Sequence, residues 1–137
     1  MAKPVVVDSD VLIDFFMGAA PSAQAVRRLL ETDRLALTTL TVFELHCGVQ
    51  SEDARKDVDL LVDAARIVLR LSMEAAQLAA QQYRALKSSG EALPTPDLLI
   101  AGCCLAANLP LLTRNRQHFS RVSALELVES YQIVDRD

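Results

Sequence analysis

Asp8, Glu44, Asp97 and Asn115 are oxygen-bearing side chains set in apolar company. Asp8 follows Val5, Val6 and Val7, Glu44 sits between Phe43 and Leu45, Asp97 leads into Leu98, Leu99 and Ile100, and Asn115 comes shortly after Leu111 and Leu112. Carboxylates framed this way are expected to be partly buried, and several of them near one another repel unless they are protonated or neutralised by a cation. A hard divalent ion is the simplest answer. An all-oxygen set favours Mg²⁺ or Mn²⁺, with water completing the shell, over the Cys and His ligands of a structural zinc site. Such an ion activates water and stabilises charge on a phosphoryl oxygen, so the chemistry open to these residues is phosphodiester hydrolysis.

Each residue also has a purely local explanation. Asp8 or Ser9 could cap a following helix, and Thr41 with Glu44 fits the capping box. Thr95, Pro96 and Asp97 read as N-cap, first helical residue and first-turn acid, and Asn115 is a good N-cap. Capping alone leaves the apolar framing unexplained. The question is whether the fold brings residues so far apart in sequence to one place.

Strand-like runs are expected at residues 4–7, 35–40, 67–71, 111–113 and, more weakly, 125–128. Between them the apolar residues recur near a helical period: Ala23, Val26 and Leu30; Val58, Leu61, Val62 and Ala65; Met73, Ala76, Ala80, Tyr83 and Leu86. Residues 98–107 are apolar on every side, as expected of a helix buried against a sheet. Strands separated by helices require crossover connections, hence an α/β fold with a mostly parallel sheet and helices on its faces. In such a sheet all strand C-termini share one edge, and ligands bind in the crevice outside it. Asp8, Glu44 and Asn115 each follow a strand, and Asp97 opens a helix that returns from that edge. All four are therefore expected at one edge.

The remaining features bound the answer. A chain of 137 residues with 51% hydrophobic and 23% charged content is expected to form one domain, residues 1–137, without repeats or linkers. Only 4% of residues are aromatic and none is Trp, so the packing should be aliphatic. The formal net charge of -4 argues against holding nucleic acid by bulk electrostatics, though not against a local basic rim. The apolar runs break too early to span a bilayer, and the valines near the N-terminus run straight into Asp8 rather than forming a signal-peptide layout; a cytoplasmic protein with no membrane partner is expected. Cys47, Cys103 and Cys104 have no metal-ligand spacing and read as inert buried thiols. His46 and His118 read as structural or surface residues, since metal-activated water needs no histidine base. The charge run over residues 51–59 reads as a solvated helix face.

Four segments together, VVVDSDVLID (5–14), TVFELHCGV (41–49), PTPDLLIAG (94–102) and LLTRNRQHF (111–119), resemble the PIN domain, and specifically the VapC-type toxin of bacterial and archaeal toxin–antitoxin pairs. The resemblance covers nearly the whole chain, with the motifs in the family's order. It implies a three-layer α/β/α fold with a parallel sheet of about five strands, a Mg²⁺- or Mn²⁺-dependent endoribonuclease activity on an RNA substrate, and inhibition by a cognate VapB-type antitoxin. By that pattern Asp8, Glu44 and Asp97 are the metal-binding acids. Asn115 takes a fourth place that is Asp in many PIN domains, and Thr113 supplies a hydroxyl near the site. Asn brings no negative charge, so one well-held ion is expected.

Arg114 and Arg116 bracket Asn115 and are candidates for positioning the substrate phosphate, the alternative being ordinary surface arginines. Asp10 is expected as a solvated helix-start acid, and Asp14 as a rim or structural residue. No aromatic ladder for base stacking is visible. A groove lined by Val11, Leu12, Phe15, Phe16 and the helix over residues 58–62 would suit an antitoxin helix. Exposed Phe in this region would favour a homodimer.

Other classes remain to be weighed. The Asp8-Ser9-Asp10 run is superficially similar to the nucleophile motif of haloacid dehalogenase-like phosphatases, with Asp8 attacking phosphorus and Asp10 as acid/base. Val11 and Leu12, however, replace the small residue expected next. A receiver-like signalling domain would need an Asp after the third strand, and residues 68–74 offer none. A PIN-like domain that only binds a partner is conceivable because of Asn115.

Overall fold

Alternation along the first strand sets the architecture. Successive strand residues point to opposite faces, and in β1 (Val5–Val7) all three valines are buried, so both faces of the sheet must be covered. Val5 and Val7 pack with Leu35, Leu37 and Leu112 in one core cluster, while Val6, Ala36 and Leu111 join a second on the opposite face. The computed structural model describes residues 2–134.

After β1 the chain forms α1 (Ser9–Phe16), α2 (Ser22–Glu31), β2 (Leu35–Thr38), α3 (Thr39–Cys47), α4 (Glu52–Ala64), β3 (Ile67–Leu69) and α5 (Met73–Ser88). It continues through α6 (Thr95–Ala107), β4 (Leu111–Leu112), α7 (Arg116–Phe119), β5 (Leu127–Val128) and α8 (Ser130–Val134). The five strands lie in the order β3-β2-β1-β4-β5 with every pairing parallel. The expected α/β/α fold is therefore present, with α1, α2 and α4 contributing to the first core and α5 and α6 to the second.

The strands are shorter than the apolar runs that announce them. Leu40 belongs to α3 and Leu71 to a loop, because Thr38 ends β2 and caps α3 by accepting the Thr41 N–H at 3.1 Å. The buried stripe of α5 is also displaced from its expected register: Ala75, Ala79 and Leu86 are buried, whereas Met73 and Tyr83 are exposed. Gly102 of α6 explains why small residues win there. A Cβ on Gly102 would stand 2.3 Å from the Ala75 carbonyl oxygen, so α5 and α6 approach almost backbone to backbone. Cys103 and Cys104 are buried as expected, while Cys47 is exposed at the end of α3, and none forms a disulfide. The charged face of α4 is solvated: Arg55 pairs with Glu52 and, at 2.6 Å, with Asp59.

β1 has β2 on one side and β4 on the other, and the chain leaves these neighbours in opposite directions. That is the point at which a parallel sheet opens a crevice beyond its strand ends. Asp8 and Thr113 are the residues just past β1 and β4.

Candidate active site

Asp8 is buried and caps α1. Its Oδ1 accepts the Ser9 N–H at 2.8 Å, and its Oδ2 accepts the Thr113 hydroxyl at 2.8 Å from the neighbouring strand end. Capping and site placement are thus the same fact, with one oxygen on the helix and the other aimed into the crevice. Thr113 in turn accepts the Asn115 N–H at 3.0 Å, which turns the loop after β4 toward Asp97.

The local explanations for the other residues hold only in part: Asp97 is a first-turn acid of α6, but neither Glu44 nor the Asn115 side chain takes up a capping role. Thr38, not Thr41, caps α3, so Glu44 is in no capping box; it lies in the body of the helix and accepts the Ser9 hydroxyl at 3.2 Å. Pro94 is the N-cap of α6, which places Asp97 third in the helix. Asn115 stands at the N-cap of α7 but spends no side-chain hydrogen bond there. Its amide Nδ2 instead lies 2.8 Å from His118 Nδ1 and 3.5 Å from Asp97 Oδ2, and His118 Nδ1 is itself 3.4 Å from Asp97 Oδ2.

Electrostatics tie the acids into one field. Burial first, then the nearby Asp10, raises Asp8 from the ordinary 3.8 to about 6, with Glu44 adding to the rise and the bonds from Thr113 and Ser9 opposing it. Glu44 is pushed up by its own burial and by the charges of Asp97 and Asp10, against the bond from Ser9. Asp10 is also raised by burial, although its carboxylate accepts the Arg114 N–H at 3.1 and 3.3 Å. Asp10 is therefore half-buried and coupled to the site rather than a solvated acid, the β4–α7 loop having folded over it. Asp14 is structural: it accepts the Ser22 hydroxyl at 2.9 Å and pairs with Arg114 at 3.1 Å.

The arginines stand at the edge, each with a partner. Arg114 pairs with Asp14, and Arg116 pairs with Glu129 at 2.9 Å while donating to the Val128 carbonyl at 3.2 Å. His118 and Ser9 are the site neighbours that sequence reasoning missed. His118 follows Asn115 at the i+3 spacing that places two side chains on one helical face, a signal present in the sequence. Ser9 was considered only as a cap.

Among the described residues no three His, Cys, Asp or Glu side chains converge into a ready-made metal cage. The donor chemistry nevertheless fits a hard divalent cation: the donors are carboxylate and amide oxygens, and the most buried carboxylate resists ionisation because of its burial first and the neighbouring acids second. An open set of this kind leaves several coordination positions to water and substrate.

An α/β/α sheet with acids at its topological switch point defines a class, and comparison with known proteins agrees. The PIN domain family matches residues 5–125, and the chain belongs to this family. Ribonuclease VapC1 of Methanocaldococcus jannaschii is 29% identical over 123 residues, 90% of this chain and 84% of that protein. Two solved structures share the fold. VapBC2 from Rickettsia felis, bound to a DNA fragment from its promoter, gives a TM-score of 0.79 at 19% identity over 91% of this chain and 97% of that one. VapBC-1 from nontypeable Haemophilus influenzae gives 0.78 at 24% identity over 92% and 97%. Family membership removes the ground for the phosphatase and receiver readings.

Proposed function

We propose that the chain is a metal-dependent endoribonuclease toxin of a VapBC-type pair, hydrolysing RNA phosphodiester bonds at the edge that carries Asp8, Glu44 and Asp97. The observation that carries this reading is Asp8, raised first by its burial and then by the charges of Asp10 and Glu44, and still fixed in direction by Ser9 and Thr113. A group held at such electrostatic cost is explained by a cation that the unliganded protein must attract.

Asp8, Glu44 and Asp97 would hold Mg²⁺ or Mn²⁺, with Asn115 as a neutral fourth donor. When bound, the ion supplies Lewis acidity that makes water a better nucleophile and offsets charge on the phosphoryl group. The chain's own residues fix the donors beforehand. Thr113 and the Ser9 N–H hold the Asp8 carboxylate, the Ser9 hydroxyl holds Glu44, and His118 with Asn115 restrains Asp97. Arg114, released from Asp14, is within the same loop to meet a phosphate, and Arg116 braces that loop against Glu129.

The partner reading rests on a groove of about 300 Å³ lined by Ile13, Phe16, Met17, Leu45, Val58 and the acid Glu44. Val11 and Leu12, expected in this groove, are instead fully buried in the core, because they lie on the side of α1 that faces the sheet. An antitoxin helix laid on these apolar side chains would bring its end to Glu44, where a basic residue would neutralise the site. Phe43 and Leu60 are exposed nearby and suit the expected homodimer. Among the described residues no helix is long and apolar enough to cross a membrane, in keeping with a cytoplasmic toxin.

The test is RNA cleavage by purified protein with Mg²⁺ or Mn²⁺. Asp8→Asn and Asp97→Asn should each abolish cleavage and relieve growth arrest while circular dichroism shows a folded domain. Wild-type rates in both variants would end the assignment.

A further inference from the structure

Beside the acidic edge lies a second recess, a cavity of about 800 Å³ between the α1–α2 connection, the end of β4 and α8. Thr113 and Arg114 belong to its wall as well as to the active-site loop, so the cavity adjoins the acidic edge at that loop. Its volume is in the range of small-molecule sites, roughly 300 to 1,000 Å³.

The charges in this cavity cancel. Arg114 is paired with Asp14 at 3.1 Å and Arg116 with Glu129 at 2.9 Å, and all four residues line it. A phosphate lodged inside this cavity would meet Asp14 and Glu129 as well as the arginines they hold, whereas Arg114 turned toward the Asp8 edge leaves Asp14 behind. A neutral, planar group meets no such repulsion. Val11, Leu112 and Pro21 give the cavity apolar wall, and Tyr131 gives it an aromatic residue that is 64% exposed. Single-stranded RNA is read by bases that leave the stack and lie on aromatic faces, with their edges met by polar side chains. Gln24 and Ser130 supply an amide and a hydroxyl for that purpose.

We propose that this cavity is a nucleobase subsite: the base adjoining the scissile phosphate turns out of the RNA strand and stacks on Tyr131 while its phosphate remains at the Asp8 edge. The assignment rests on the nuclease reading above. It makes Tyr131 a determinant of substrate affinity rather than of the chemical step.

The experiment is steady-state cleavage of a single-stranded RNA of mixed sequence with Mn²⁺. Tyr131→Ala should raise KM roughly tenfold, the loss expected for one base–aromatic stack, with kcat changed far less. Tyr131→Phe, which keeps the ring face, should recover the affinity, and Tyr83→Ala on α5 should behave as wild type. RNA cut by wild type and by Tyr131→Ala with the same KM overturns the subsite and leaves the nuclease reading standing. The subsite is equally overturned if Tyr131→Ala weakens the complex with the antitoxin but not the KM for RNA. Failure of the wild-type protein to cut RNA at all overturns both.

Discussion

Replacing Asp8 by Asn isolates the electrostatic tension of the site. Burial and the neighbouring carboxylates raise Asp8 from 3.8 to about 6 in the folded protein, which corresponds to about 3 kcal/mol held against ionised Asp8. Asn resembles the protonated form. It keeps an oxygen for the Ser9 N–H, but its NH₂ must face the Thr113 hydroxyl, which then reorients at a cost of about 1 kcal/mol. Without metal at pH 8, Asp8→Asn should therefore be about 2 kcal/mol more stable than wild type in urea denaturation followed by circular dichroism. The pH dependence follows from the direction of the shift. The folded protein binds the Asp8 proton more tightly than the unfolded chain, so the contribution of Asp8 to the wild type's stability is highest below pH 4. It is lost as the pH rises from 3.8 toward 6 and is level above that. Burial shifts Asp10 and Glu44 in the same direction and steepens the fall. The advantage of Asp8→Asn should accordingly disappear near pH 4. Saturating Mn²⁺ should reverse it, since a ligand at a hundredfold its Kd adds about 2.7 kcal/mol to the wild type alone. An advantage that is absent at pH 8, or that persists unchanged to pH 4, would refute the reasoning.

Gly102→Ala should cost at least 1 to 3 kcal/mol by urea denaturation, because its Cβ would meet the backbone of Ala75 rather than a movable side chain; an unchanged midpoint would show that α5 and α6 can part freely. Asn115→Asp puts a carboxylate where the amide Nδ2 now lies 3.5 Å from Asp97, so metal-free stability at pH 8 should fall by about 1 kcal/mol while Mn²⁺ affinity rises, both read by melting with and without the ion. Phe16→Asp should weaken binding of the proposed antitoxin about tenfold or more in a titration, since it places a charge in the apolar groove.

The sequence carried the architecture because apolar strands separated by periodic helices leave a parallel sheet as almost the only solution, and β1 reads as buried from its three valines alone. It also carried the placement of Asp8, Asp97 and Asn115, since topology delivers strand ends and returning helix starts to one edge. It was less informative where two signals overlapped. Thr38, Thr41 and Glu44 offered two capping arrangements, and only the length of β2 decides between them. Along α5 the large residues Met73 and Tyr83 suggested the core face, but the glycine on the opposing helix reserves that face for Ala75 and Ala79. Val11 and Leu12 looked available for a partner because periodicity does not say which of two apolar stripes on α1 meets the sheet. The i+3 spacing of His118 from Asn115 is legible, but its approach to Asp97 is not; Asp10 and the pairing of Arg114 with Asp14 depend on how the loop after β4 folds back over α1, and no local pattern encodes that contact.

Calorimetric titration of the metal-free protein with Mn²⁺ near pH 7 asks whether these separated acids form one cation site. The wild type should take up a single ion, and Asp97→Asn should bind it at least tenfold more weakly. Absence of uptake by the wild type, or equal affinity in the two proteins, would contradict that assignment.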